Sequence, residues 1–123
     1  MSEVQTDIGR RAERRAETFL NAQGLLTVAR NVGCRHGELD LVMRDRETLV
    51  FVEVRLRSPG RFPNATASVD RRKQRRLLAA ASWFLQRAPA LEDRMIRFDV
   101  VAYDGRGLQT TPRWIRQAFD EPV

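Results

Sequence analysis

The ten residues Thr48 to Arg57 constrain the fold more than any other stretch of the chain. Side chains two apart along a strand share a face. Val50, Val52, Val54 and Leu56 therefore make one apolar face, and Leu49, Phe51, Glu53, Arg55 and Arg57 make the other. Charges that alternate with a core face normally meet water. Here Leu49 and Phe51 make even the Glu53 face apolar upstream, which argues for depth instead. A second strand, Glu38 to Met43, leads in through the polar turn Arg44-Asp45-Arg46-Glu47 and carries Glu38 and Asp40 on one face.

Register brings the acids together. A four-residue hairpin loop, Asp45 to Thr48, sets Asp40 opposite Glu53, whereas a two-residue loop, Asp45-Arg46, sets them diagonally. Either way they share a face with Arg55, and directly opposed Cβ atoms lie about 5 Å apart. Two carboxylates that close repel unless a proton or a cation sits between them. Mg²⁺ is the natural cation for an all-oxygen site that keeps waters and accepts phosphate oxygens.

Around this hairpin the chain alternates helices and strands. Ile8, Ala12, Ala16, Phe19 and Leu20 recur at helical spacing, with Thr6 or Asp7 as the cap and Gly24 as the stop. Glu13 borders that stripe. Leu25 to Ala29 reads as a short first strand, and Ser58 to Ala67 as a loop rich in Pro, Gly and small residues. Ser68 or Asp70 caps a second helix. Its first turns carry Arg71, Arg72, Lys73, Arg75 and Arg76, and its later turns an apolar face of Leu77, Leu78, Ala81, Phe84 and Leu85. Pro89 lies just beyond it. Met95 to Tyr103 alternates as a strand, Asp104-Gly105-Arg106-Gly107 turns, Leu108 to Thr111 reads as an edge strand and Trp114 to Phe119 as a terminal helical turn. The sum is one α/β domain over residues 1–123 with a mixed sheet, in the order α-β-β-β-α-β.

Composition narrows the function classes. The 123 residues carry a net charge of +6, from 22 Lys and Arg against 16 Asp and Glu, and Lys73 is the only lysine. A pI near 11.1 is the electrostatic footprint of a nucleic-acid binder, although codon bias also explains arginine in place of lysine. The lone Cys34 and the lone His36 exclude a disulfide framework and a two-histidine or multi-cysteine zinc site. Cys34 reads as a small packed residue and His36 as an exposed turn residue. Phe84 reads as core, while Trp83 and Trp114 have the shape to stack on bases. The longest nearly apolar run, Leu77 to Leu85, is far short of the roughly 20 residues a membrane span requires. The N-terminus lacks the order of a signal peptide, so no membrane association and a cytoplasmic location are expected.

Gly37-Glu38-Leu39-Asp40-Leu41-Val42 followed by Phe51-Val52-Glu53-Val54-Arg55-Leu56-Arg57 resembles the PD-(D/E)XK nuclease signature. With the Gly9 to Glu13 helix start, Arg30-Asn31, Lys73 and Arg97-Phe98-Asp99-Val100-Val101, the chain is identified as a member of the YraN family of small bacterial proteins. That family is similar to archaeal Holliday-junction resolvases. The resemblance implies a restriction-endonuclease-like core and a phosphodiesterase site that uses Mg²⁺ or Mn²⁺. It makes Asp40 and Glu53 the metal ligands, Glu13 the helix carboxylate that joins them, and Glu38 a secondary acid. Arg55 stands where the signature has lysine. Arginine stabilises charge but cannot act as a base, which leaves water activation to the metal.

Arg57, Lys73 and Arg76 are the expected nucleic-acid contacts. The expected substrate is branched or structured DNA, and a homodimer follows by analogy from one site cutting two strands. The alternatives are a non-catalytic nucleic-acid-binding module on the same fold, or an accessory protein that recognises a partner protein.

Overall fold

A computed structural model describes residues 3–57, 69–91, 93–104 and 111–119. The first helix, α1, runs Glu3–Ala22 and buries Ala12, Ala16 and Leu20, spaced four apart on one face. It begins earlier than the caps Thr6 and Asp7 suggest. Glu3, Val4 and Gln5 contain no Gly or Pro to break the helix, so those two polar residues are carried inside it. Its end matches the expectation. Gly24 takes φ +99°, and the Leu25 amide donates back to the Leu20 carbonyl while the Gly24 amide reaches that of Asn21. This is the six-residue closure in which glycine supplies a positive φ that other side chains rarely adopt.

Strand β1 spans Leu26–Cys34, five residues beyond the expected end at Ala29. Its neighbour explains the length: β2, Gly37–Asp45, supplies partners as far as Cys34↔Gly37. β3 covers Thr48–Arg57, as the alternation predicts. The β2–β3 hairpin pairs Arg44 with Leu49 and Asp45 with Thr48, which is the register that aligns Asp40 with Glu53. The turn itself is Arg46-Glu47, with Arg46 at φ +57°. α2, Arg71–Gln86, is capped by Asp70, whose carboxylate accepts the Lys73 amide at 2.8 Å. A 3₁₀ turn at Pro89–Leu91 then leads to β4, Met95–Asp104, which pairs in parallel with β3 along its whole length.

The tail differs from expectation. Arg113–Ile115 forms β5, antiparallel to β4, where a helical turn over Trp114 to Phe119 is anticipated. Six residues are too few for a stable isolated helix. The open edge of β4 offers ready backbone partners, and Trp and Ile suit a strand. The Ser58–Ala67 loop, the Gly105-Arg106-Gly107 turn and Leu108 to Thr110 of the expected edge strand lie outside the described residues. Thr111 is not in a strand.

The result is a restriction-endonuclease-like α/β core, a mixed sheet in the order β1-β2-β3-β4-β5 with helices on both faces. On one face α1 packs Ala12, Ala16 and Leu20 over Leu41, Met43, Val50 and Val52. On the other, α2 packs Leu77, Ala80 and Ala81 over Val42, Leu49, Phe51 and Phe98. That is why β3 is apolar on both sides at its start.

One break in the pleat locates the site. Leu39 belongs to the α2 layer and Leu41 to the α1 layer, although residues two apart normally share a face. Asp40 sits at this switch. Across from it on β1, Asn31 takes φ +49° between Arg30, paired with Leu41, and Val32, paired with Leu39.

Candidate active site

The face switch turns acids from three elements toward one another. Glu13 comes from α1, Glu38 and Asp40 from β2, and each offers a carboxylate oxygen within 4.8 Å of the other two. Asn31 ties two of the three together: its amide nitrogen donates to Glu13 Oε1 at 2.5 Å and to Glu38 Oε1 at 2.9 Å. Asparagine tolerates the left-handed backbone that this contact requires. Asp40 Oδ2 accepts the Val54 amide at 2.9 Å, a bond that fixes the carboxylate against β3.

Glu53 lies beside them at 4% exposure. Its Oε1 is 3.4 Å from Lys73 Nζ and 3.5 Å from Arg55 Nη1, and its Oε2 is buried with no hydrogen-bond partner among the described residues. Burial, followed by the Glu53 charge, pushes the Asp40 carboxyl up to about 9 against the opposing pull of the Val54 amide. Burial likewise raises Glu53, although the Lys73 and Arg55 charges pull the other way. Burial and mutual repulsion thus both favour the neutral form of this pair. The three converging carboxyl groups, with the orphaned buried oxygen of Glu53 beside them, form a hard, all-oxygen donor set, the kind that a small divalent cation satisfies.

Cations flank the acids on both sides. Lys73 and Arg76, three apart on α2, line a small depression with His36, Gly37 and Glu38. On the α1 side, Arg10, Arg14, Arg30 and Asn31 line a cavity of about 100 Å³ beside Glu13. There Arg30 grips Glu17 with its Nε 2.8 Å from both carboxylate oxygens, and this hydrogen bond holds Glu17 below the usual carboxylate range. Arg57 closes β3, and its side chain lies outside what the structure describes.

The structure thus brings Glu13, Glu38, Asp40, Glu53, Arg55, Lys73 and Arg76 to one region, with Glu38 in the oxygen cluster and Lys73 on Glu53. Sequence reasoning did not assign a role to Asn31 or to the Val54 amide. An Asn has no periodicity to betray it, and a backbone donor leaves no trace in composition. Nor did it find the anchor of the tail. Asp99, 1% exposed, accepts Arg97 Nε and Nη2, Trp114 Nε1 and the Gln117 amide, all at 2.9 to 3.0 Å. Trp114 also meets Phe19 edge-on at 6.1 Å, so it packs into the α1 layer. Cys34 and Phe84 pack against the α2 layer, and His36 is half-buried in its turn.

Known proteins similar to this chain share nearly its whole length. A profile of the uncharacterised protein family UPF0102 matches residues 12–103. A UPF0102 protein of Pseudomonas entomophila (strain L48) is 50% identical over 113 residues, covering 91% of this chain and 92% of the relative. One from Halorhodospira halophila is 51% identical over 113 residues, covering 92% and 87%. Another, from Pseudomonas aeruginosa (strain LESB58), is 48% identical over 120 residues and covers 96% of each chain. No helix among the described residues is long and apolar enough to cross a membrane.

Proposed function

This chain belongs to the uncharacterised protein family UPF0102, the YraN family of its motifs, and on that footing we propose that it is a metal-dependent endonuclease hydrolysing phosphodiester bonds in branched or structured DNA. The observation that carries this reading is the oxygen cluster of Glu13, Glu38 and Asp40, with buried Glu53 beside it and an ammonium on Glu53. Glu53 in particular is far more buried than a solvated surface acid would be. Burial raises the Asp40 and Glu53 carboxyls, and a cation beside them would offset the cost of holding their charged forms there.

Glu13, Glu38 and Asp40 would hold Mg²⁺ or Mn²⁺, with Glu53 adjoining. When bound, the ion polarises a phosphoryl oxygen and lowers the pKa of an attacking water. The rest falls to the chain's own side chains. Asn31 keeps Glu13 and Glu38 in place, and the Val54 amide orients Asp40. Lys73 and Arg55 set positive charge where negative charge develops on the phosphorus oxygens. An ammonium is a compact donor that can orient a water, while a guanidinium is a wide planar fork. Lys73 thus fills the role that Arg55 cannot. Arg76 and, on the α1 side, Arg10 and Arg14 offer forks to flanking phosphates.

A guanidinium at position 55 favours a second reading, in which the same surface binds nucleic acid without cutting it. A panel of junction, flap, duplex and single-stranded DNA, incubated with Mn²⁺ and with EDTA, separates the two. Mn²⁺-dependent nicking that Asp40→Asn abolishes is the expected result, and binding without cleavage on every substrate would establish the second reading.

A further inference from the structure

Away from the acids, the outer side of α2 and the β1–β2 turn enclose an open groove of about 540 Å³. Arg35, His36, Ser82, Trp83, Gln86 and Arg87 line it, and none of its described lining residues is acidic. Trp83 packs into neither core layer. It stands half-buried on the flank of the helix, beside the face of Leu77, Ala80 and Ala81, with the Arg87 guanidinium 4.1 Å from its ring centroid. A tryptophan held outside the core, in a wall of cations, is a stacking platform. His36 lines this groove and also the depression that holds Glu38, Lys73 and Arg76, so the two adjoin.

We propose that this groove seats an unpaired strand of the nucleic-acid substrate, with a base stacked on Trp83 and phosphates met by Arg35 and Arg87. This inference rests on the reading of the acid cluster as a nuclease site, and it names which part of a branched substrate the protein grips. The chemistry favours a single strand over a duplex. A paired base is stacked on both sides and has no free face for the indole, whereas an unpaired base exposes its ring. The positive wall suits any polyanion, but only a polyanion that carries planar rings uses the tryptophan.

The test measures binding in EDTA by fluorescence anisotropy, using labelled oligothymidylate and a blunt duplex of the same length. Trp83→Ala is expected to weaken oligothymidylate binding about tenfold and leave duplex binding unchanged, and Trp83→Phe to restore most of the loss. Arg35→Glu, an exposed turn change that leaves the core alone, is expected to lower the salt slope for the single strand by about 0.7 or more. Single-strand affinity within twofold of wild type in both Trp83→Ala and Arg35→Glu would overturn the proposal, as would displacement of the oligonucleotide by polyglutamate at equal charge concentration. If wild type binds no form of DNA, the nuclease reading fails and takes the groove with it. If Trp83-dependent binding appears without Mn²⁺-dependent cleavage, the groove stands and the nuclease reading falls alone.

Discussion

Lys73 reaches from the first turn of α2 to within 3.4 Å of Glu53 on β3, so the chain's only lysine stands beside the acid whose own strand carries Arg55. Single-turnover cleavage should therefore fall about 10²-fold or more in Lys73→Ala, the typical cost of losing a charge-stabilising donor. Arg55→Lys should keep activity, and Arg55→Ala should lose less than Lys73→Ala does. Equal rates for Lys73→Ala and wild type at matched Mn²⁺ would remove the ammonium from the reaction.

Asp40→Asn and Glu53→Gln should each abolish cleavage while leaving DNA binding intact, because each keeps the side chain's size and the arginines that would meet phosphates are untouched. Gel-shift affinity and cleavage measured on one junction substrate decide the matter. Turnover surviving in both variants would move the site elsewhere.

The raised Asp40 carboxyl has a pH signature. A group whose folded pKa lies above its unfolded value contributes stability at low pH and loses it as pH climbs toward the folded value, here from about 4 toward about 9. Metal-free wild type should thus melt progressively lower across that window, and Asp40→Asn should flatten the decline. At pH 8 the variant is expected to melt about 4 °C or more above wild type, on the order of 1 kcal/mol for a domain of this size. Thermal scans from pH 5 to 9 in EDTA are the measurement, and parallel curves for the two proteins would contradict it.

Asn31→Gly keeps the left-handed backbone at no steric cost but deletes the amide that joins Glu13 to Glu38. Loss of such a supporting contact typically weakens metal affinity by tenfold or more. Calorimetric titration with Mn²⁺ should show that drop with little change in melting temperature.

Asp99→Ala leaves the Arg97 guanidinium, the Trp114 indole and the Gln117 amide without their shared acceptor. Breaking a buried ion pair from one side costs about 3 kcal/mol or more. Denaturant unfolding should register it, and Trp114 emission should shift red before the global transition as β5 loosens from β4.

What could be read from the sequence follows from which interactions are local. β3 announced itself because both faces of Leu49 to Val52 are apolar, and α2 because its leucines recur at helical spacing. That Asp40 and Glu53 share a face follows from strand register with either loop length, and the observed pairs Arg44↔Leu49 and Asp45↔Thr48 select the opposed arrangement. Trp114 to Phe119 was misread because its partner, the free edge of β4, lies outside any local window. β1 was cut short for the same reason: residues 30–34 alternate poorly, and β2 holds them in place. The convergence of Glu13 and Glu38 depends on the face switch around Asp40 and the φ of Asn31, neither of which leaves a pattern in residue types.

The acid set draws Glu13 from the helix on one face of the sheet, while its neighbouring ammonium comes from the helix on the other. Neither helix alone completes the site, so both faces of the sheet must be covered before the acids and the ammonium meet. Loosening either layer from the sheet therefore reaches the same few atoms, and the two otherwise separate cores are tied to one another through this cluster.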